Sequence, residues 1–354
     1  MRVGSVLLSV VFAAGCGSEG GDGSGPDAMP PIPDASLIPD AMPLPDFPLA
    51  PTTLLETGLY TDMVTKEVNP AIREFTPKYE LWTDGAVKKR WVYLPPSSTI
   101  DTSDMDFWRF PVGTRLWKEF SIDGTRVETR FFYKTSNSNW YVRTYVWNEA
   151  QDEALENRRG VTDALGTGHD VPEMIVCEKC HGQVADSALG FSAVLLDHDG
   201  PGLTLAGLVA EDRLSAPPAG SAPFFPIPGD QLAQDALGYV HSNCGGCHHP
   251  ASGIFEAGDA LLELRLEVDR LGSVEDTRFY QTTVCADTIQ SLRDFDGNSI
   301  EKVVIPGNPA ASAMFHRMNI RGSDQMPEIG TDEVDPDGSR YVSDWIYSLA
   351  GCPQ

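Results

Sequence analysis

The chain has 354 residues, 51 acidic against 26 basic, and a formal charge of −25. Such a deficit of positive charge excludes nucleic-acid binding, where phosphate neutralisation needs basic surface, and points to partners that are basic or cationic at the contact. Hydrophobic residues are 41% of the chain, enough for one or two cores, and no apolar run reaches the ~20 residues of a membrane-spanning helix.

The N-terminus reads as an address. Met1-Arg2 is a short positive start, Val3 to Ala14 is small and apolar, and Ala13-Ala14-Gly15-Cys16 follows. A short apolar stretch before small residues is a signal peptide, here 1–15, rather than a span. Cysteine directly after Ala-Gly resembles a bacterial lipobox, which makes Cys16 the lipidated first residue of the mature protein. Gly17 in place of Asp resembles the sorting signal for the outer membrane, facing periplasm or cell surface. Residues 16–50 hold eight prolines, six acidic residues and no Lys or Arg, and Pro-Asp-Ala-Met-Pro occurs at 26–30 and again at 39–43. This composition gives an extended, self-repelling tether.

From residue 51 to 165 the pattern becomes β-rich. Six of the seven tryptophans lie here: Trp82, Trp91, Trp108, Trp117, Trp140 and Trp147. Strands are predicted at Arg90–Leu94, Phe107–Phe110, Thr114–Ile122, Thr125–Lys134 and Trp140–Trp147, with Asp123-Gly124 as a two-residue hairpin turn. Leu116, Phe120 and Ile122 share one face of their strand. Val127, Phe131 and Tyr133 share one face of the next, leaving Arg126, Glu128 and Arg130 on a wet face. An antiparallel sandwich or barrel follows. The aromatic and arginine density also suits carbohydrate binding, but aromatics on strands rather than loops favour a core.

Two short motifs carry the chemistry. Cys177-Glu178-Lys179-Cys180-His181 and Cys244-Gly245-Gly246-Cys247-His248 both have the C-x-x-C-H spacing of covalent haem attachment. Two thiols add to the vinyl groups of one porphyrin edge, and the next His falls beneath the iron as axial ligand. Cysteine pairs also build four-thiolate zinc sites. A His after both pairs, the export signal and the 63 residues (181 to 243) between Cys180 and Cys244 weigh against zinc. A thioredoxin-like redox pair lacks its strand–helix setting.

Residues 166–227 carry the first motif, and its candidate sixth ligands are His169, Met174, His198 and His241. Residues 228–354 give the second motif a fuller setting. Asp230 caps a helix with Leu232, Leu237 and Val240 on its apolar stripe, running into Cys244. Met326-Pro327 sits in a polar loop. Gly338 then precedes a helix with Tyr341, Val342, Trp345, Ile346 and Leu349 at helical spacing. Helix into C-x-x-C-H, Met-Pro loop and terminal helix together resemble a small class I cytochrome c, and by that resemblance Met326 is the distal ligand. Met314, His316 and Met318 are its rivals. Two cysteines remain, Cys285 and Cys352, and leftover thiols in an oxidising compartment pair.

The chain as a whole resembles the bacterial diheme, repeat-containing cytochrome c-like proteins. The matching strings are Leu81-Trp82-Thr83-Asp84, Trp91 to Pro96, Phe110 to Thr114, Tyr145 to Glu149, Asn243 to His248, Pro306 to Pro309 with Ala311-Ser312, and Met326-Pro327. The family commonly has Asn where this chain has His249. The resemblance implies a multidomain protein, an antiparallel β-rich domain followed by a mainly α cytochrome c-like domain, with two haem c groups and a redox protein as partner. The expected function is single-electron transfer. The rival classes are a haem enzyme with an open first iron, peroxidase-like or oxidising a small molecule, and a docking protein whose β domain binds a partner or glycan.

Overall fold

Alternation and one tight turn build the largest element of the structure, a computed structural model that describes residues 50–256, 261–294 and 296–352. The expected leader, Cys16 and the tether up to residue 49 lie outside the described residues. After β1 (Tyr60–Asp62) and β2 (Glu67–Val68), which pair with each other, six strands form one antiparallel meander. These are β3 (Arg73–Glu74), β4 (Val87–Tyr93), β5 (Arg115–Ile122), β6 (Thr125–Lys134), β7 (Trp140–Trp147) and β8 (Ala154–Asn157), in that order across the sheet. The β5–β6 turn is the expected one: Ile122 pairs with Thr125, and Asp123 and Gly124 have φ of 47° and 83°, as a type I′ hairpin requires.

The expected sandwich or barrel is instead an open sheet with β3 and β8 at its edges, and Phe107–Phe110 contributes only the isolated bridge Arg109 to Asp101. Both faces are nonetheless covered. On one face Trp91, Trp117 and Phe131 stand in register, and the preceding chain lies over them. Thr57 accepts from the Trp117 indole at 2.9 Å and the Tyr60 hydroxyl donates to Glu119 at 2.7 Å. Trp91, Trp108, Trp117 and Trp147 are all buried, so these aromatics are core rather than a sugar platform.

The other face corrects the sequence reading: a register shift between Phe120 and Ser121 turns Arg126 away from Glu128 to pair with Glu119 at 3.0 Å, and sets Val127 against Phe120 rather than beside Phe131. Glu128 and Arg130 do not face water: the Glu128 side chain is fully buried and that of Arg130 is 17% exposed. What covers them is the segment after the sheet, including α1 (Met174–His181). Phe132 stacks on the His181 ring, centroids 4.6 Å apart. Next to it Val92 packs with Phe191, with α2 (Ala193–Leu196) and with α3 (Leu205–Ala210).

The smaller helical part follows: α4 (Gln231–Asn243), α5 (Gly253–Glu256), α6 (Arg278–Thr283), the hairpin β9 (Asp287–Arg293) and β10 (Ser299–Lys302), α7 (Ala313–Met318) and α8 (Pro336–Ser348). Asp230 caps α4 as expected, accepting from the Ala233 amide at 3.1 Å. Leu232 is 41% exposed, and the buried stripe is Ala233, Ala236, Leu237 and Val240. It packs against Val342, Trp345 and Ile346 of α8. The α8 helix begins earlier than expected because Asp335 caps it, accepting from the Asp337 and Gly338 amides, with Pro336 in the first turn, where its missing N–H costs nothing. Cys285 and Cys352 lie at disulfide-bonding distance, Cα atoms 5.7 Å apart and 67 residues apart in the chain. A loop of that length restrains the unfolded chain by roughly 4 kcal/mol.

The boundaries expected at 165/166 and 227/228 are crossed by packing. Phe75 meets Phe191 at 4.7 Å and Ile100 bridges to Leu214, Val194 joins the core of Val240 and Trp345, and the described residues belong to one compact unit.

Helix α8 approaches α4 so closely that a Cβ on Gly338 would stand 2.0 Å from the Tyr239 ring. Tyr239 is buried, so the ring or the helix must shift. Gly338→Ala should therefore cost about 1–3 kcal/mol, read as a lower urea midpoint at unchanged slope. An unmoved midpoint would contradict this packing of α4 on α8.

Candidate haem site

The first motif sits on α1, where helical spacing puts Cys177 and Cys180 one turn apart with His181 next to the second thiol. The His181 ring hydrogen-bonds through Nδ1 to the Ser187 carbonyl at 2.7 Å. An N–H donated there leaves Nε2 as the free lone pair, which is how an iron-bound histidine is commonly oriented. Burial, with Lys118 and Arg130 nearby, holds His181 down to about 4, so the ring is neutral, as a metal ligand must be. The sheet fixes the acceptor. Asp186, next to Ser187, takes hydrogen bonds from the Trp140 indole at 2.9 Å and from the Phe110 amide, and pairs with Lys134.

The second motif ends α4. Gly245 closes on the His241 carbonyl and the Arg265 backbone, 2.6 and 2.9 Å from where a Cβ would stand, so the turn between Cys244 and Cys247 admits no larger residue there. His248 is also held down to about 4, by burial first and then by Arg317 and His249. Its Nδ1 is buried without a hydrogen-bond partner among the described residues.

Met326 lines one cleft with Cys244, Met318, Trp82 and Tyr239. Its amide donates to the Arg317 carbonyl at 2.9 Å, tying the Met-Pro loop to α7. Among the rivals for Met326, Met318 lies in the same cleft, Met314 packs against the helical core, and His316 is buried on α7.

The Met-Pro loop is clamped from the far end of the chain. Asp84 accepts from the amides of Asp332 and Glu333 at 3.0 and 2.9 Å, and the Trp82 indole donates to the Glu333 carbonyl at 3.1 Å. The Trp82 amide donates to Asn243, which in turn donates to the Glu80 carbonyl. Sequence reasoning placed Leu81-Trp82-Thr83-Asp84 in the β domain and gave it no task. Only its likeness to the family string marked it.

The two motifs meet. The Cys180 and Cys247 thiols are close enough to share a proton, which lowers Cys180 relative to an ordinary thiol. His249 hydrogen-bonds through Nε2 to the Gln183 carbonyl at 2.9 Å, and the Gly253 amide reaches the Gln183 side chain at 2.9 Å. His249, where the family commonly has Asn, thus fastens one motif to the other.

Three of the four candidates for the first sixth ligand are engaged elsewhere. His169 bonds Glu128 through Nε2 at 3.0 Å. His198 uses Nε2 on the Thr76 carbonyl and Nδ1 on the Gly200 amide. His241 accepts from the Leu266 amide at Nδ1, which puts its proton on Nε2. Met174 lies on α1 itself, three residues before Cys177.

The donor set suits covalent haem: two thiols and a neutral, oriented imidazole per motif, with a thioether in the cleft beside Cys244. Among the described residues no three His, Cys, Asp or Glu side chains converge as ligands of a metal ion, and the four motif cysteines do not form a zinc tetrahedron. In comparisons with known proteins, no family model, no curated protein and no solved structure matches the chain.

The clamp on the Met-Pro loop can be tested without any cofactor. Asp84→Ala removes a charged acceptor from two amides, a loss of roughly 1.5–3 kcal/mol for each well-made bond before water replaces it. Amide exchange at Asp332 and Glu333 should accelerate at least tenfold. Unchanged protection there would show that Asp84 does not hold the loop.

Proposed function

We propose that the chain is an exported, lipid-anchored diheme c-type cytochrome that exchanges single electrons with a redox protein. The observation that supports it most is the meeting of two C-x-x-C-H motifs, 63 residues apart in sequence (181 to 243), where His249 and the Gly253 amide bond Gln183 at 2.9 Å each. Haem bound there would supply one-electron chemistry, and the protein supplies binding, burial and access. Cys177 and Cys180 would hold one group and Cys244 and Cys247 the other. His181 and His248 would supply an imidazole to each iron, and Met326 would be the soft ligand that raises the potential of the second. The C-terminal part would then be the mainly α, cytochrome c-like portion of the protein.

The surroundings follow from the sequence. Cys16 is the lipid attachment point, and 17–50 lifts the folded part off an outer membrane. A net charge of −25 steers toward a partner that is basic or cationic where it docks. The engagement of His169, His198 and His241 favours a second reading, in which the first iron keeps an open position and reacts with peroxide or another small molecule. Cyanide binding by one of the two haems separates an enzyme of that kind from a carrier.

Mass spectrometry of the mature protein should find two covalently attached haems, resistant to acid–acetone extraction. One haem, or zinc in its place, would sink the reading. Oxidised protein should also show a weak far-red band from sulfur–iron charge transfer. Met326→Ala should abolish that band and lower one of the two potentials, while a spectrum unchanged in the variant would transfer the role to Met318, Met314 or His316.

A further inference from the structure

The sheet face beneath α1 carries a row of like charges. Arg90, Lys118 and Arg130 are direct cross-strand neighbours on β4, β5 and β6, and Lys88 stands two residues along β4 on the same face. Like charges set opposite one another across strands destabilise a sheet. Two of the three in the row are answered. Arg90 pairs with Glu80 at 3.0 Å, which Lys88 also approaches at 4.0 Å. Arg130 makes a forked pair with Glu128 at 2.9 and 2.6 Å. Lys118, in the middle, has no carboxylate within ion-pairing distance among the described residues. Its ammonium lies over the Phe120 ring at 4.9 Å, and its charge acts on Cys180 and His181. Four basic side chains thus share two carboxylates, and burial, with Arg90, Arg130 and Lys88 around it, pushes the one left over, Lys118, well below the ordinary ammonium value.

We propose that Lys118 is the carboxylate-binding residue of the first haem site, pairing with a propionate of the porphyrin held by Cys177, Cys180 and His181. This rests on the diheme reading and extends it. The β-sheet becomes one wall of the first haem site and a determinant of its potential, rather than a separate docking domain. The chemistry selects an anion: a lysine set between Arg90 and Arg130 keeps its charge only beside a fixed negative group, and a porphyrin would bring two carboxylates with it. The charge so retained would favour the reduced, less positive form of a haem held by this motif. Lys118 therefore acts as a positioning and tuning residue.

The test is spectroelectrochemical titration of the haem-loaded, full-length protein. The first haem is identified as the component lost in the C177A/C180A variant. Lys118→Met should lower that haem's potential, raising its oxidised-to-reduced ratio at a fixed potential about tenfold, equivalent to ~59 mV for one electron. The other haem should not move. Lys118→Arg should restore the wild-type value, and Lys89→Met, an exposed residue on the opposite face of β4, should change neither potential. If Lys118→Met does not accumulate, Lys118→Gln removes the same charge from a polar side chain. Two haems present with both potentials unmoved, or both lowered equally, would overturn the assignment. Failure of the underlying reading is seen differently: wild-type protein would carry no covalent haem at all, and the inference would fall with it.

Discussion

A carboxylate with no access to water sits at the junction of sheet and helices. Glu128, on the middle of β6, is held between the Arg130 guanidinium at 2.6 Å and the His169 ring at 3.0 Å. Burial alone would push its pKa up, but Arg130 and His169 outweigh that and hold it below the ordinary carboxylate value. An ion of this kind contributes little net stability, yet removing one partner strands a buried charge at a cost of roughly 3–5 kcal/mol. The pairing therefore enforces an arrangement: residues 161–171 must fold over β6, and the chain leaves them directly into α1. The first C-x-x-C-H motif is placed where it is because that charge has to be covered.

Placement then passes from one motif to the other. The sheet anchors Asp186 through Trp140 and Lys134, and the neighbouring Ser187 carbonyl orients His181. Gln183, two residues beyond His181, receives His249 and the Gly253 amide, which seats the second motif against the first. From the other side Trp82 and Asp84 reach from just before β4 to the loop after Met326. The cleft beside Cys244 is thus built by both ends of the described chain. The proposed electron transfer would need this kind of rigidity, because small reorganisation depends on ligands that do not move, and here many of the holding groups are backbone atoms.

The sequence made the local features legible. The β5–β6 hairpin, strands β6 and β7, the Asp230 cap and the apolar stripe of α8 were read from alternation, turn chemistry and helical period, all of which act within about ten residues. The Cys285–Cys352 pairing followed from counting. What escaped was non-local. The charged face of β6 reads as a wet face because alternation does not show what covers a face, and it also misplaces Arg126 and Val127 because it cannot see the register shift opposite Phe120 and Ser121. Leu81 to Asp84 had no legible task because its partners lie some 160 and 250 residues away. The open sheet could not be told from a sandwich or barrel, since strand patterns are the same in each. Three histidines in reach of sequence guesswork proved to be holding backbone or carboxylate groups, and nothing in their local context distinguished them.

The proposed function rests on the meeting of the two C-x-x-C-H motifs, which would bring two porphyrins close enough to exchange electrons. Circular dichroism in the Soret region of the fully reduced holoprotein tests it most directly, because two strong transitions held within a few ångströms couple. The account predicts a bisignate Soret signal that vanishes in both C177A/C180A and C244A/C247A variants. A spectrum equal to the sum of the two single-haem variants would mean that the groups do not sense each other, and would contradict the account.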